Sequence, residues 1–202
     1  MRAVAMGLLA LGLSVAGTPH AAASDKSHDG GFFLRMAIGG GHASTKVEDS
    51  LGDLELHGPS GSFDIAIGAV VAKNFAIHGT LGGFALSEPT VEFRGFEEDG
   101  DDVDMAMSMV GGGFTYFFGN TNAYVTASAG AAELIIDFDG DDETSDTGFA
   151  AEVGLGKEWW GGNKWGLGVA VTGGYHNIPF DDDFDGSFKG TSFHVKFTAT
   201  MN

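Results

Sequence analysis

Along most of this chain, side chains alternate in type with a period of two. Phe32, Leu34, Met36 and Ile38 share one parity, with Arg35, Ala37, Gly39 and Gly41 on the other. Phe63, Ile65, Ile67, Ala69 and Val71 stand against Ser62, Asp64, Ala66 and Gly68. Period two is the signature of a β-strand whose two faces meet different surroundings. Helical periodicity is missing, so the chain is predicted to be all-β.

Eight such segments of about ten residues can be laid out, the length a tilted strand needs to cross a bilayer. The third is Phe75, Ile77 and Leu81 against His78, Thr80 and Gly82. A fourth opens on Met105, Met107 and Met109, and its Gly111-Gly112-Gly113 run blurs the parity and marks a place for a bulge. The fifth, from Ala123 to Ile136, is rich in Ala, Ser and Thr on both parities, so its facing stays open. The sixth to eighth carry Phe149 to Leu155, Trp165 to Tyr175 and Phe193 to Phe197 on their apolar parity. A soluble lipocalin-like barrel also has eight strands, with its apolar side chains inside. Here the other parity is mostly Gly, Ala, Ser and Thr. Small residues suit a narrow lumen better than a wall facing water. The expectation is an eight-stranded antiparallel up-and-down transmembrane β-barrel over residues 31–202.

The links alternate short and long. Short ones fall near Lys73-Asn74, Gly119 to Asn122 and Gly161 to Lys164. Long ones span about 44–60, 87–104, 137–147 and 180–187, and hold 22 of the chain's 28 acidic residues against two basic ones, Lys46 and Arg94. Short turns at one rim and long links at the other are the pattern of outer-membrane barrels, whose long loops are extracellular. Tyr116, Phe117, Phe118, Tyr124, Trp159, Trp160 and Trp165 fall at the short-turn rim, where a membrane-interface girdle is expected. The net charge of -18 argues against nucleic acid as a partner. With no Cys, disulfides and thiolate sites are excluded.

Met1-Arg2, the apolar stretch Ala3 to Gly17 and the small-residue exit Ala21-Ala22-Ala23 read as a secretory signal peptide over 1–23. Residues 24–30 form a short polar tail. With these features the chain resembles the small eight-stranded outer-membrane barrels of Gram-negative bacteria, the OmpA-like and OmpX-like group. The resemblance rests on architecture: signal peptide, eight alternating segments, glycine-rich inner face and uneven links. It implies location in the cell outer membrane and contact with its lipid and lipopolysaccharide. It also implies insertion by the outer-membrane assembly machinery and a structural or surface-interaction role, as a monomer. Barrels of this group usually end on an aromatic residue; here the last residues are Phe197-Thr198-Ala199-Thr200-Met201-Asn202. Alternatives are a narrow ion channel, a lipid-modifying enzyme and a soluble periplasmic lipocalin-like barrel.

Arg35, Asp64, His78, Glu133, Glu152, His194 and Lys196 are expected to point into the lumen, where charges must pair or hydrate. Asp64 is the expected partner of Arg35. His42 and His176 lie near the long-link rim, but no Gly-x-Ser-x-Gly elbow accompanies them, which points away from an enzyme. Asp181, Asp183 and Asp185, followed by Gly186, match the first half of a calcium loop, without the Glu expected at its twelfth position. No resident cofactor is expected beyond Ca²⁺ or another divalent cation at these acidic links. Such ions would also bridge the links to lipopolysaccharide phosphates, which otherwise repel them.

Overall fold

The computed structural model describes residues 28, 31–49, 52–93, 96–99, 103–138, 141–161, 164–180 and 186–201. The expected signal peptide over 1–23, most of the expected polar tail and the Asp181–Asp183–Asp185 motif lie outside the described residues.

Eleven strands occur among the described residues: β1 (Gly31–Asp49), β2 (Gly52–Ala72), β3 (Phe75–Ser87), β4 (Thr90–Phe93), β5 (Phe96–Asp99), β6 (Val103–Phe118), β7 (Ala123–Phe138), β8 (Asp141–Thr144), β9 (Gly148–Trp160), β10 (Trp165–Pro179) and β11 (Ser187–Met201). The eight long ones are the staves of a closed barrel. Each pairs antiparallel with its chain neighbour, and β1 pairs with both β2 and β11 to close the ring. The three short turns are where the sequence places them. Asn74 and Asn122 take the left-handed backbone there (φ 63 and 50), which Asn tolerates better than most residues. The Thr121 hydroxyl closes the second turn on the Phe118 carbonyl at 2.6 Å.

The expected long links contain strand. Residues 44–60 continue β1 and β2 in register to Asp49 opposite Gly52. Within 87–104, β4 pairs with Leu54 to His57 of β2, and β5 with β4. Within 137–147, β8 folds back on β7. Acidic side chains made these stretches look like loops.

The bulge expected at Gly111–Gly113 is not there: β6 pairs without a slip to β3 and β7 through all three glycines. The register shift lies instead between Val70 and Ala72 of β2. What changes near Gly111 is the face that is apolar. Met105 and Met109 are buried inside the barrel, whereas Val110 and Phe114 are exposed outside. The same exchange occurs along β2 (Leu56 inside, Phe63 outside), β3 (Phe84 and Leu86 inside, Leu81 outside) and β10 (Ile178 inside, Tyr175 outside). On β11, Phe188 packs against the inner cluster and Phe193 faces out. Below the exchange the outer wall is apolar, with Ile38 69% and Phe197 72% exposed, as a wall facing hydrocarbon requires. Above it the barrel has an apolar interior, like a soluble β-domain.

The aromatic girdle divides in two. Tyr116, Phe118, Trp159 and Trp165 are exposed on the outer wall, while Phe117 and Tyr124 are buried in the lumen. Trp160 follows them inward, its ring 5.2 Å from that of His28.

Candidate functional site

Among the described residues, the buried titratable side chains converge in the lumen. It is built in three layers. At the short-turn end Phe33, Phe117, Tyr124, Ala66, Val70 and Ala76 form an apolar floor. His28, from the N-terminal tail, stacks on Phe117 at 3.5 Å between ring centroids. Its backbone carbonyl accepts from the Asn74 amide at 2.9 Å, so the tail is tied to the first turn. At the opposite end Leu56, Phe84, Leu86, Met105, Leu134 and Ile178 belong to an apolar roof. Between floor and roof lies a polar layer.

Glycine makes room for that layer. A Cβ added at Gly156 would lie 2.4 Å from Cζ of Tyr124, and one at Gly82 would lie 2.4 Å from Oδ1 of Asp64. Large inward side chains thus lie flat over glycines of a neighbouring stave.

Lys196 is the centre of the layer. It is 1% exposed, and its Nζ donates to Asp64 Oδ2 at 2.5 Å and to Glu152 Oε2 at 2.6 Å. The expected pairing of Asp64 with Arg35 does not occur. Closure sets Gly39 opposite Lys196 and Ala37 opposite Asp64, so only small β1 residues separate the two. Arg35 sits lower, opposite Ala66 and Thr200. It donates to Thr115 Oγ1 at 3.0 Å and Thr126 Oγ1 at 2.8 Å, and lies 5.2 Å from the centroid of the Tyr124 ring.

His78 shares the Thr115 hydroxyl, with Nε2 3.1 Å from Thr115 Oγ1, and its Nδ1 lies 2.9 Å from Thr80 Oγ1. His194 Nε2 lies 2.9 Å from Ser60 Oγ.

Glu133, expected inside, is on the outer surface and accepts from the Thr147 hydroxyl at 2.9 Å. The inward residues of β7 are the even-numbered ones, including Tyr124, Thr126, Ala132, Leu134 and Ile136. Sequence reasoning missed Glu158, buried and accepting from the Thr200 hydroxyl. It has the parity of Glu152 on the same strand, and that count would have found it. His42 and His176 lie on opposite sides of the wall. His42 faces out with its ring 6.0 Å from that of His57, and His176 is buried with Nε2 3.1 Å from Thr45 Oγ1. They cannot serve one reaction.

Above the membrane wall, on the outer face, Glu55 accepts from the Ser44 hydroxyl at 2.6 Å and pairs with Lys46 at 3.0 Å. The Ser44 hydrogen bond first, and Lys46 after it, hold the Glu55 carboxyl below the usual range. Among the described residues no group of three His, Cys, Asp or Glu side chains could hold a metal ion.

No protein-family model matches the chain, and no curated protein matches it. Solved structures do. The crystal structure of Neisserial surface protein A superposes with a TM-score of 0.54 at 13% identity, covering 85% of this chain and 97% of that one. Outer membrane protein AlkL, solved by solid-state NMR in DMPC lipid bilayers, gives 0.48 at 14% identity, covering 87% and 92%. Outer membrane protein OprG from Pseudomonas aeruginosa gives 0.44 at 12% identity, covering 87% and 98%. At these identities the likeness is one of fold. The small outer-membrane barrel architecture expected from the sequence is the architecture of this chain.

Proposed function

We propose that the protein is an integral outer-membrane barrel with a closed lumen and a structural or surface-interaction role, exercised by the part that projects above the bilayer. The observation that carries this is the exchange of the apolar face along the staves. An outer wall that is apolar below and polar above locates a membrane boundary, and the apolar interior above it stops the lumen from conducting. The signal peptide over 1–23 would deliver the chain to the outer membrane, where lipid, lipopolysaccharide and the assembly machinery are its expected contacts. The layered lumen is a reason to set the channel and enzyme alternatives below this one: its charges are spent on one another and on hydroxyls.

The deciding experiment is fractionation with electrophoresis before and after boiling. Heat-modifiable migration in the outer-membrane fraction is expected, and a soluble periplasmic protein would refute the proposal. Planar-bilayer recording should show no steady conductance. Calorimetric titration with Ca²⁺ addresses the acidic links: a specific site requires tighter binding than in the Asp181/Asp183/Asp185→Ala variant.

A further inference from the structure

The polar layer has atoms that the protein does not satisfy. His194 is 1% exposed, and its Nδ1 has no hydrogen-bond partner among the described residues. The hydroxyl of Ser62, 5% exposed, has none either. Buried polar atoms left bare are rare in folded proteins, because each forfeits its hydration.

Beside His194 lies a small cavity between the Lys196 cluster and the roof. Asp64, Glu152, His176, Ser192 and His194 line it on the polar side, Met107 and Met109 on the apolar side. The space open to the centre of a water molecule is about 20 Å³. One water needs roughly 10–15 Å³ by that measure, together with two or more polar partners. The cavity therefore has room for one water and not for a hydrated ion.

Its lining selects a donor. Lys196 takes one oxygen each of Asp64 and Glu152, and their second oxygens remain acceptors. The 2.9 Å contact between His194 Nε2 and Ser60 Oγ suits either tautomer; in the one with Nε2–H donating to Ser60, Nδ1 presents a lone pair. A water molecule has two hydrogens to give. Among the described residues no three His, Cys, Asp or Glu side chains are arranged to hold a metal ion.

We propose that this cavity binds one ordered water, which donates to His194 Nδ1 and to a carboxylate oxygen of Asp64 or Glu152. The water joins the Ser60–His194 pair to the Asp64–Lys196–Glu152 cluster in one network. The inference rests on the closed-lumen proposal, since a sealed lumen holds its water and a conducting one exchanges it quickly.

The test is NMR on protein refolded in phospholipid bicelles, with ¹³C-methyl Met and ¹⁵N-His labels. Water should give long-lived cross-relaxation to the ε-methyls of Met107 and Met109, and His194 should show the Nε2–H tautomer. His194→Asn, which keeps an acceptor where Nδ1 stood, should retain the signal; His194→Leu should lose it. Ala150→Val, which fills the cavity from another stave, should lose it too, so the test survives if the Leu variant does not fold. Absence of the signal in folded, non-conducting protein overturns the water site, and so does its persistence in both His194→Leu and Ala150→Val. Steady conductance in planar bilayers with the signal present overturns the closed lumen and leaves the water site standing.

Discussion

Replacing Lys196 by Met removes a buried ammonium held between two part-buried carboxylates. Nζ lies 2.5 Å from Asp64 and 2.6 Å from Glu152, and the lysine is 1% exposed, so no bulk water can take its place. Met has nearly the same length and fills the same path over Gly39. The loss is therefore electrostatic, not one of volume. Removing one partner of a buried ion pair costs about 3–5 kcal/mol, because the remaining charge keeps its desolvation penalty. With a urea slope of roughly 2–3 kcal/mol per molar, the unfolding midpoint should fall by about 1–2.5 M. Tryptophan fluorescence in detergent micelles reads the transition, since Trp159, Trp160 and Trp165 all sit at the short-turn rim. The triple variant Asp64→Asn, Glu152→Gln, Lys196→Met makes the site neutral and should recover most of the loss, as neutral replacements of buried ion pairs do. A Lys196→Met midpoint within about 0.3 M of the parent would refute the reasoning, since a shift that small is far below the cost of a stranded charge. So would a triple variant no better than the single one.

Three further outcomes are expected. Gly156→Ala sets a Cβ 2.4 Å from Cζ of Tyr124 and should destabilise by about 1–3 kcal/mol in the same urea assay, while Gly61→Ala, with nothing within 4 Å, should not. Leu155→Arg puts a charge on the outer wall at a side chain 64% exposed; by the cost of lipid-facing arginine, folding into vesicles should lose about 2–4 kcal/mol, and a neutral result would argue against a lipid-facing wall. Glu55 is held ionised below its ordinary range, so it stabilises the upper β1–β2 hairpin above that range, and the contribution is lost as pH falls through it. Amide exchange of residues 44–48 should therefore quicken as pH drops from about 5 to about 3, relative to neighbouring staves, and Glu55→Gln should abolish that dependence.

Parity carried the sequence far. Along β1, β10 and β11 the alternation separated Arg35 and Lys196 from the lipid-facing set, because small and large residues occupied strictly opposite faces. It failed on β7, where Ala and Ser stand on both faces, and so Glu133 was put inside. It also failed at Gly111, where a change of surroundings from hydrocarbon to water reverses which face is apolar without any change in pairing. The partner of Arg35 was beyond reach for a different reason. Which inward side chains meet depends on the stagger with which β11 returns to β1, and no local pattern records that stagger. The strands inside the long links were hidden by their acids, which outweighed Leu54, Leu56 and Val91.

The upper section of the barrel has an electrostatic consequence. β1 runs 19 residues, Gly31 to Asp49. At about 3.3 Å per residue and a tilt near 40°, it rises about 45–50 Å. An apolar band of about 25 Å takes up the lower half. The tip of the β1–β2 hairpin then stands roughly 20 Å above the hydrocarbon, and headgroups fill only about 5–8 Å of that. The remaining gap exceeds the Debye length of about 8 Å at physiological ionic strength. At that height the repulsion expected between this acidic link and the phosphates of the bilayer surface is largely screened, with or without a bridging cation. Elevation alone thus weakens the electrostatic coupling between this part of the rim and the membrane below it.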